Sequence, residues 1–291
     1  MDQRAVPGPA VIDRGMVRGT ANTRYGAGVY AAATSTVVTD PNGPLYDEHA
    51  QALALDAMSA VDGGTAWNSL LISGLSTYEA RVILSRNHID STADWVAHLG
   101  ECLEPRVFGD LGFVLGARAE MMRRDGHTIG LDHWLGELHE FLSAGEQDRS
   151  AHDAVESLCP AVAEVDEWIA ETGLLPEGTA LRSLTGMQCA RVVTAVRWGE
   201  QSGYGDRAAV RQGLLAARDL AGADFADWAE FGTSTLAGWV LHEAPERRRA
   251  AWDAGLSALA TLLTAVESPW RNLDFPLTAD LTGLPDWFGD D

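Results

Sequence analysis

Residues 184–204 read LTGMQCARVVTAVRWGEQSGY, and residues 227–239 read DWAEFGTSTLAGW. Cys189, Val192, Val193 and Val196 fall at i, i+3, i+4 and i+7, the spacing of one apolar helix face. Gly203 and Gly205, on either side of Tyr204, supply a stop and a turn. A second helix follows with Val210, Leu214, Ala217 and Ala221 on its stripe, and a third with Phe225, Trp228, Leu236 and Trp239. Three amphipathic helices with short joints make a compact helical unit, and the chain repeats this pattern on both sides of it.

Toward the N-terminus, residues 1–44 are rich in Gly, Pro, Thr and Ala. They predict a flexible or extended arm with a short strand at Ser35–Thr39. A run of strong helix formers carries Leu45, Leu53, Leu55 and Met58 to a break at Gly63 and Gly64. Ser76 and Glu79 spell a capping box, and Asp90 or Ser91 caps the next helix. That helix turns Trp95, Leu99, Cys102 and Leu103 inward and stops near Pro105. Phe108–Met122 is another periodic run, ending in Arg123, Arg124 and Gly126.

Leu131–Leu142 and residues 150–172 predict two more helices, with Pro160 a kink or a split in the second. Pro176 and Gly178 mark a joint near 176–180. Pro245 opens a long helix through Val266, Pro269 ends it, and residues 269–291 form an acidic tail. The expected fold is therefore all-α, a bundle of about ten helices forming one domain over 45–268. No alternating pattern supports the sheet of a Rossmann, hydrolase or kinase fold.

The charge balance is lopsided: 21 basic against 42 acidic residues, net −21, in a chain of 291. Every basic residue is arginine, which excludes Schiff-base chemistry, a P-loop lysine and a Ser–Lys dyad. Such a charge repels nucleic acid and anionic membrane and favours a basic protein partner, besides keeping the chain soluble. Cys102, Cys159 and Cys189 are odd in number, widely spaced and set in apolar helices, as free thiols of a reducing compartment are. No apolar run reaches the ~18 residues of a membrane span. Asp2 and the lack of an apolar core near it argue against a secretory signal, so a cytoplasmic protein is expected.

Two polar stripes are candidate chemistry. Asp94, His98 and Glu101 lie at i, i+4 and i+7, and His133, Glu137 and Glu140 repeat that spacing. Helical bundles hold divalent metals between such residues on facing helices, and solvated faces or caps are the competing use. Cys102 stands four residues from His98, as a nucleophile and base could, although an inert thiol fits the same apolar context. Arg191 and Arg197 need partners if buried. A carboxylate on a neighbouring helix would serve, or an anionic ligand bound with Trp198 and Tyr204 beside them.

Arg191, Arg197-Trp198-Gly199, Gly203-Tyr204, Asp227-Trp228, Glu230-Phe231, Leu236 and Gly238 resemble the signature of a bacterial family known only as domain of unknown function 1266. The resemblance covers roughly the C-terminal third. Met187-Gln188 stands where that family usually has Trp-Asp, and Trp239 where it tends to have Arg, so a polar site built on those two residues would be incomplete. The resemblance implies an all-α fold and brings no activity. Without a catalytic cluster, the expected function is a non-enzymatic acidic interaction module needing no cofactor, of a toxin-neutralising (immunity-type) or regulatory kind. The alternative is a metal-dependent enzyme acting on a small molecule through the two polar stripes.

Overall fold

The computed structural model describes residues 32–104, 108–145 and 149–276. Every regular element among them is helical. In chain order these are α1 (Glu48–Ala54), α2 (Ala57–Asp62), α3 (Thr77–Ser85), α4 (Thr92–Leu103), α5 (Gly109–Asp125) and α6 (Leu131–Ala144). There follow α7 (Arg149–Thr172), α8 (Thr185–Ser202), α9 (Arg207–Asp224), α10 (Trp228–Leu241), a 3-10 turn (Pro245–Arg247) where the long helix was expected to open, α11 (Arg248–Thr264) and the single turn α12 (Pro269–Asn272). The expected all-α class is the class observed. The short strand expected at Ser35–Thr39 is instead one isolated bridge between Val38 and Ala66. Most of the expected arm, Pro105 and the tail from residue 277 onward lie outside the described residues.

Local signals act where they stand in the sequence. Ser76 and Glu79 close a reciprocal capping box on α3, and Ser91 caps α4. Gly126 and Gly203 end α5 and α8 in the left-handed conformation that glycine adopts without strain. The helix-former run after Leu45 is divided, because α1 ends at Ala54 and Asp56 turns its side chain into the core before α2 begins.

At the centre lies α8. Its predicted stripe of Cys189, Val192, Val193 and Val196 is buried, but so are Gly186, Gln188, Arg197, Gly199, Gln201 and Ser202 around the rest of the helix. Helices α3, α4, α9 and α10 pack against it. They come close because the facing positions are small. A Cβ on Gly199 would sit 2.2 Å from the Trp95 ring, and one on Gly186 would sit 2.5 Å from the carbonyl oxygen of Phe231. Trp95 is fully buried there and donates its indole N–H to the Ala195 carbonyl at 2.8 Å.

Pro160 neither splits nor ends α7, which runs unbroken for 24 residues. Proline has no N–H to give the carbonyl four residues back, so the helix lacks one internal hydrogen bond at Glu156. Helices α5 and α6 pack against α7, and α7 in turn packs against α10. The stretch from Pro269 to Phe275, read from sequence as the start of the tail, belongs to the core. Trp270 stacks on Trp228 at 5.3 Å between ring centroids and donates to the Ala54 carbonyl at 2.8 Å.

Gly199→Ala drives a methyl group into the Trp95 ring and is expected to cost about 1–3 kcal/mol, as overpacking does. Gly116→Ala, on an exposed helix face with nothing within 4 Å of the new methyl, is expected to be neutral or to stabilise by up to about 1 kcal/mol. Urea denaturation of the two variants measures both.

Candidate functional site

The polar stripes on α4 and α6 do not meet. Asp94 serves as a cap, accepting from the Ser91 hydroxyl at 2.7 Å and the Asp90 amide at 3.1 Å, and these bonds hold its carboxyl below the ordinary value. His98 lies 3.8 Å from Glu101. His133 lies 3.5 Å from Glu137, whose other oxygen takes Arg124 at 3.1 Å, and Glu140 is exposed. The apolar faces explain the separation. Trp95, Leu99 and Cys102 turn α4 toward α8, while Trp134, Leu138 and Leu142 turn α6 toward α7, leaving each polar stripe on its own outer side. Among the described residues no group of three His, Cys, Asp or Glu is arranged to hold a metal ion.

Arg197 is committed internally. Its Nη1 stands 2.6 Å from Asp56 Oδ2 and its Nη2 donates to the Trp67 carbonyl at 2.6 Å, while Thr194 donates to the same carboxylate at 3.2 Å. Burial pushes the Asp56 carboxyl up, and the arginine opposes that rise. Tyr204 lies under the Arg81 guanidinium at 5.3 Å, and Trp198 packs half-buried against the core. Arg191 shares the Trp198 face at i, i+7, away from Arg197, and its charge works against the rise that burial imposes on the Cys102 thiol. The four residues therefore do not converge on one ligand position.

Gln188 donates to the carbonyls of Cys102 at 3.1 Å and Glu104 at 3.0 Å. A carboxylate there would have no proton to give them. The Cys102 sulfur is 3.8 Å from His98 Nε2, but burial raises all three thiols, Cys159 to about 12, so none is a ready nucleophile.

Sequence reasoning missed a groove between α5, α6 and α7. It has a volume of about 280 Å³ and is lined by Asp110, Phe113, Val114, Phe141, Leu142, Ala151, Ala154 and Val155. Phe141 is 63% exposed and Phe113 39% exposed, with their rings 6.0 Å apart. Asp110 lines the groove, and Glu140, beside Phe141 in the sequence, is exposed on α6. The available signal was Phe141, which falls outside the Trp134–Leu138–Leu142 stripe by one residue and so is not held in the seam.

A second cleft of about 200 Å³ lies between residues 175–183 and the start of α10, and its polar groups already use one another. Ser183 donates to Asp224 at 2.5 Å, Ser234 to the Ser183 carbonyl at 2.9 Å, and Arg182 lies 3.8 Å from Glu230. Beneath it Arg118 pairs with Asp166 at 2.5 Å and lies over the Trp134 ring at 4.8 Å, tying α5 to α6 and α7. Burial raises the Asp166 carboxyl, against the lowering effect of Arg118. These are groups that hold the bundle together. The Phe113–Phe141 groove differs in leaving large apolar groups to solvent.

A family model described as "Protein of unknown function (DUF1266)" matches residues 119–275, more than half of the chain. No curated protein and no solved structure matches it.

Asp56→Ala leaves a buried guanidinium without its counter-charge and is expected to cost about 3–5 kcal/mol in urea denaturation. Glu140→Ala, on an exposed face, is expected to stay within about 0.5 kcal/mol of the parent. With a chromogenic disulfide reagent at pH 8, none of the three thiols should react within minutes in the folded protein, and all three should react in denaturant.

Proposed function

We propose that this chain, which belongs to the DUF1266 family, is a non-enzymatic acidic binding module. It would take a basic, amphipathic segment of a partner protein into the groove between α5, α6 and α7. The observation that carries this reading is Phe141, a large aromatic left 63% exposed beside Phe113 at the edge of an apolar depression. Paired exposed aromatics over a groove are what an interface uses as anchors, and a helix lays its apolar face into such a depression.

Charge specifies the partner. The chain carries net −21 and no lysine, and several of its arginines are spent on carboxylates within the molecule, among them Arg118, Arg124 and Arg197. The field that remains outside is negative, so it speeds encounter with a cationic segment and turns away nucleic acid. Buried free thiols suit a reducing compartment such as the cytoplasm, and the toxin-neutralising or regulatory roles expected of an acidic binder both need such a surface.

A labelled helical peptide with leucines on one face and arginines on the other tests this by fluorescence anisotropy. Saturable binding is expected at low salt, weakening as salt rises. Phe141→Asp is expected to weaken it at least about tenfold, close to 1.4 kcal/mol. The substitution makes the chain more acidic, so attraction by charge alone predicts tighter binding. Equal or tighter binding by the variant overturns the reading.

A further inference from the structure

His139 on α6 and His152 on α7 face each other with their Nδ1 atoms 2.9 Å apart. The ring planes are within 7° of parallel, yet the centroids are 5.2 Å apart. With the nitrogens so close, a centroid spacing this long means that the rings meet edge to edge, nitrogen to nitrogen, and not face to face. Such a contact is an N–H···N hydrogen bond along the lone-pair direction, and it holds one proton: one Nδ1 donates and the other accepts. Two protonated rings would bring two Nδ1–H groups and two positive charges together, and the contact cannot survive that.

The pair closes one side of the α6–α7 seam, and the groove opens on the other. On α6, His139 and Phe141 fall on opposite sides of the Leu138–Leu142 stripe. On α7, His152 and Ala154 do the same about Val155. The part of α7 that carries His152 and the groove residues Ala151, Ala154 and Val155 precedes Pro160, where the helix lacks a hydrogen bond and bends most readily.

We infer that His139 and His152 form a proton-operated latch on the groove. It is closed while the two Nδ1 atoms share a single proton, and it opens when both rings are charged. This rests on the groove being the binding site proposed above.

The charged groups around the pair are few. Glu156 Oε1 lies 3.8 Å from His139 Nε2, beyond hydrogen-bond reach, and is exposed. Arg149 and Asp153, at the start of α7, lie 3.8 Å from each other. On α6, Asp132 and Glu140 are exposed. From α5 the nearest charged side chain lining the groove is Asp110, on the far side of the seam. Along α10 the one charged residue is Glu230, which accepts from the Ala226 amide at 3.0 Å.

Histidine ordinarily takes up its proton near pH 6.5. In acid the unfolded chain therefore binds two protons at these residues, whereas the closed latch holds at most one. Stability rises with pH wherever the unfolded state binds more protons, so the latch's contribution falls as acid charges both rings.

The test uses the same leucine–arginine peptide at pH 7.5 and 5.5, with urea denaturation run in parallel. The wild-type chain is expected to lose at least about fivefold in affinity on acidification. His152→Gln, which can bond to His139 but cannot take a proton, should lose less than about twofold and show a flatter pH dependence of its denaturation midpoint. Wild-type affinity that is equal at the two pH values overturns the latch and leaves the groove reading standing. No binding at either pH is a failure of the groove reading. Denaturation then decides alone, and an identical pH dependence in wild type and His152→Gln overturns the latch.

Discussion

A helix with no fully exposed residue must satisfy most of the polar groups it carries against other parts of the chain, and α8 is such a helix. Its polar side chains act as partners for backbone that no helix or sheet serves. Gln201 accepts the Ile72 amide at 3.0 Å and donates to the Leu75 carbonyl at 2.5 Å. Arg197 takes the Trp67 carbonyl, and Gln188 takes two carbonyls at the end of α4. The irregular stretch between α2 and α3 can lie against the core because α8 supplies what a buried loop otherwise lacks. Losing any of these side chains leaves a carbonyl or amide of that backbone without its partner, at a cost of up to about 1–3 kcal/mol where the group is buried.

This division of labour explains what could be read in advance. Apolar spacing, caps and stop glycines are local signals, and they gave the helices from α3 to α11, but not the turn α12. The pairing of Arg197 was also legible as a requirement, since a charge in the core must be balanced. Its partner was not. Asp56 lies 141 residues away within a run of helix formers, and only the assembled fold shows that the run breaks there to deliver it. The i, i+4, i+7 spacing on α4 and α6 guarantees a shared face on each helix but says nothing of which way that face points. The neighbours that bury the opposite faces decide that. Phe141 and the two histidines were hidden for the complementary reason, because each sits beside a stripe and stripes were the signal being followed.

The absence of lysine has a structural counterpart. Arg197 holds a carboxylate and a carbonyl with two nitrogens of one guanidinium. Arg124 spans Asp125 at 2.6 Å and Glu137 at 3.1 Å, and Arg118 pairs with a carboxylate while lying over an indole. A planar fork can make two such contacts at once, and an ammonium group cannot. Arginine used in this way ties helices together, and the excess acidic residues are left to face solvent.

The matched family region begins at residue 119, partway along α5. It contains α8, the Arg124–Glu137 joint, and the α6 and α7 walls of the groove, while Arg118 and Asp56 lie ahead of it. It does not contain Asp110, Phe113 or Val114, the residues that α5 contributes. The groove thus joins two sources, a frame that the family shares and a wall outside the shared stretch. The frame sets the spacing between α6 and α7, and side chains ahead of residue 119 supply the third wall of the opening.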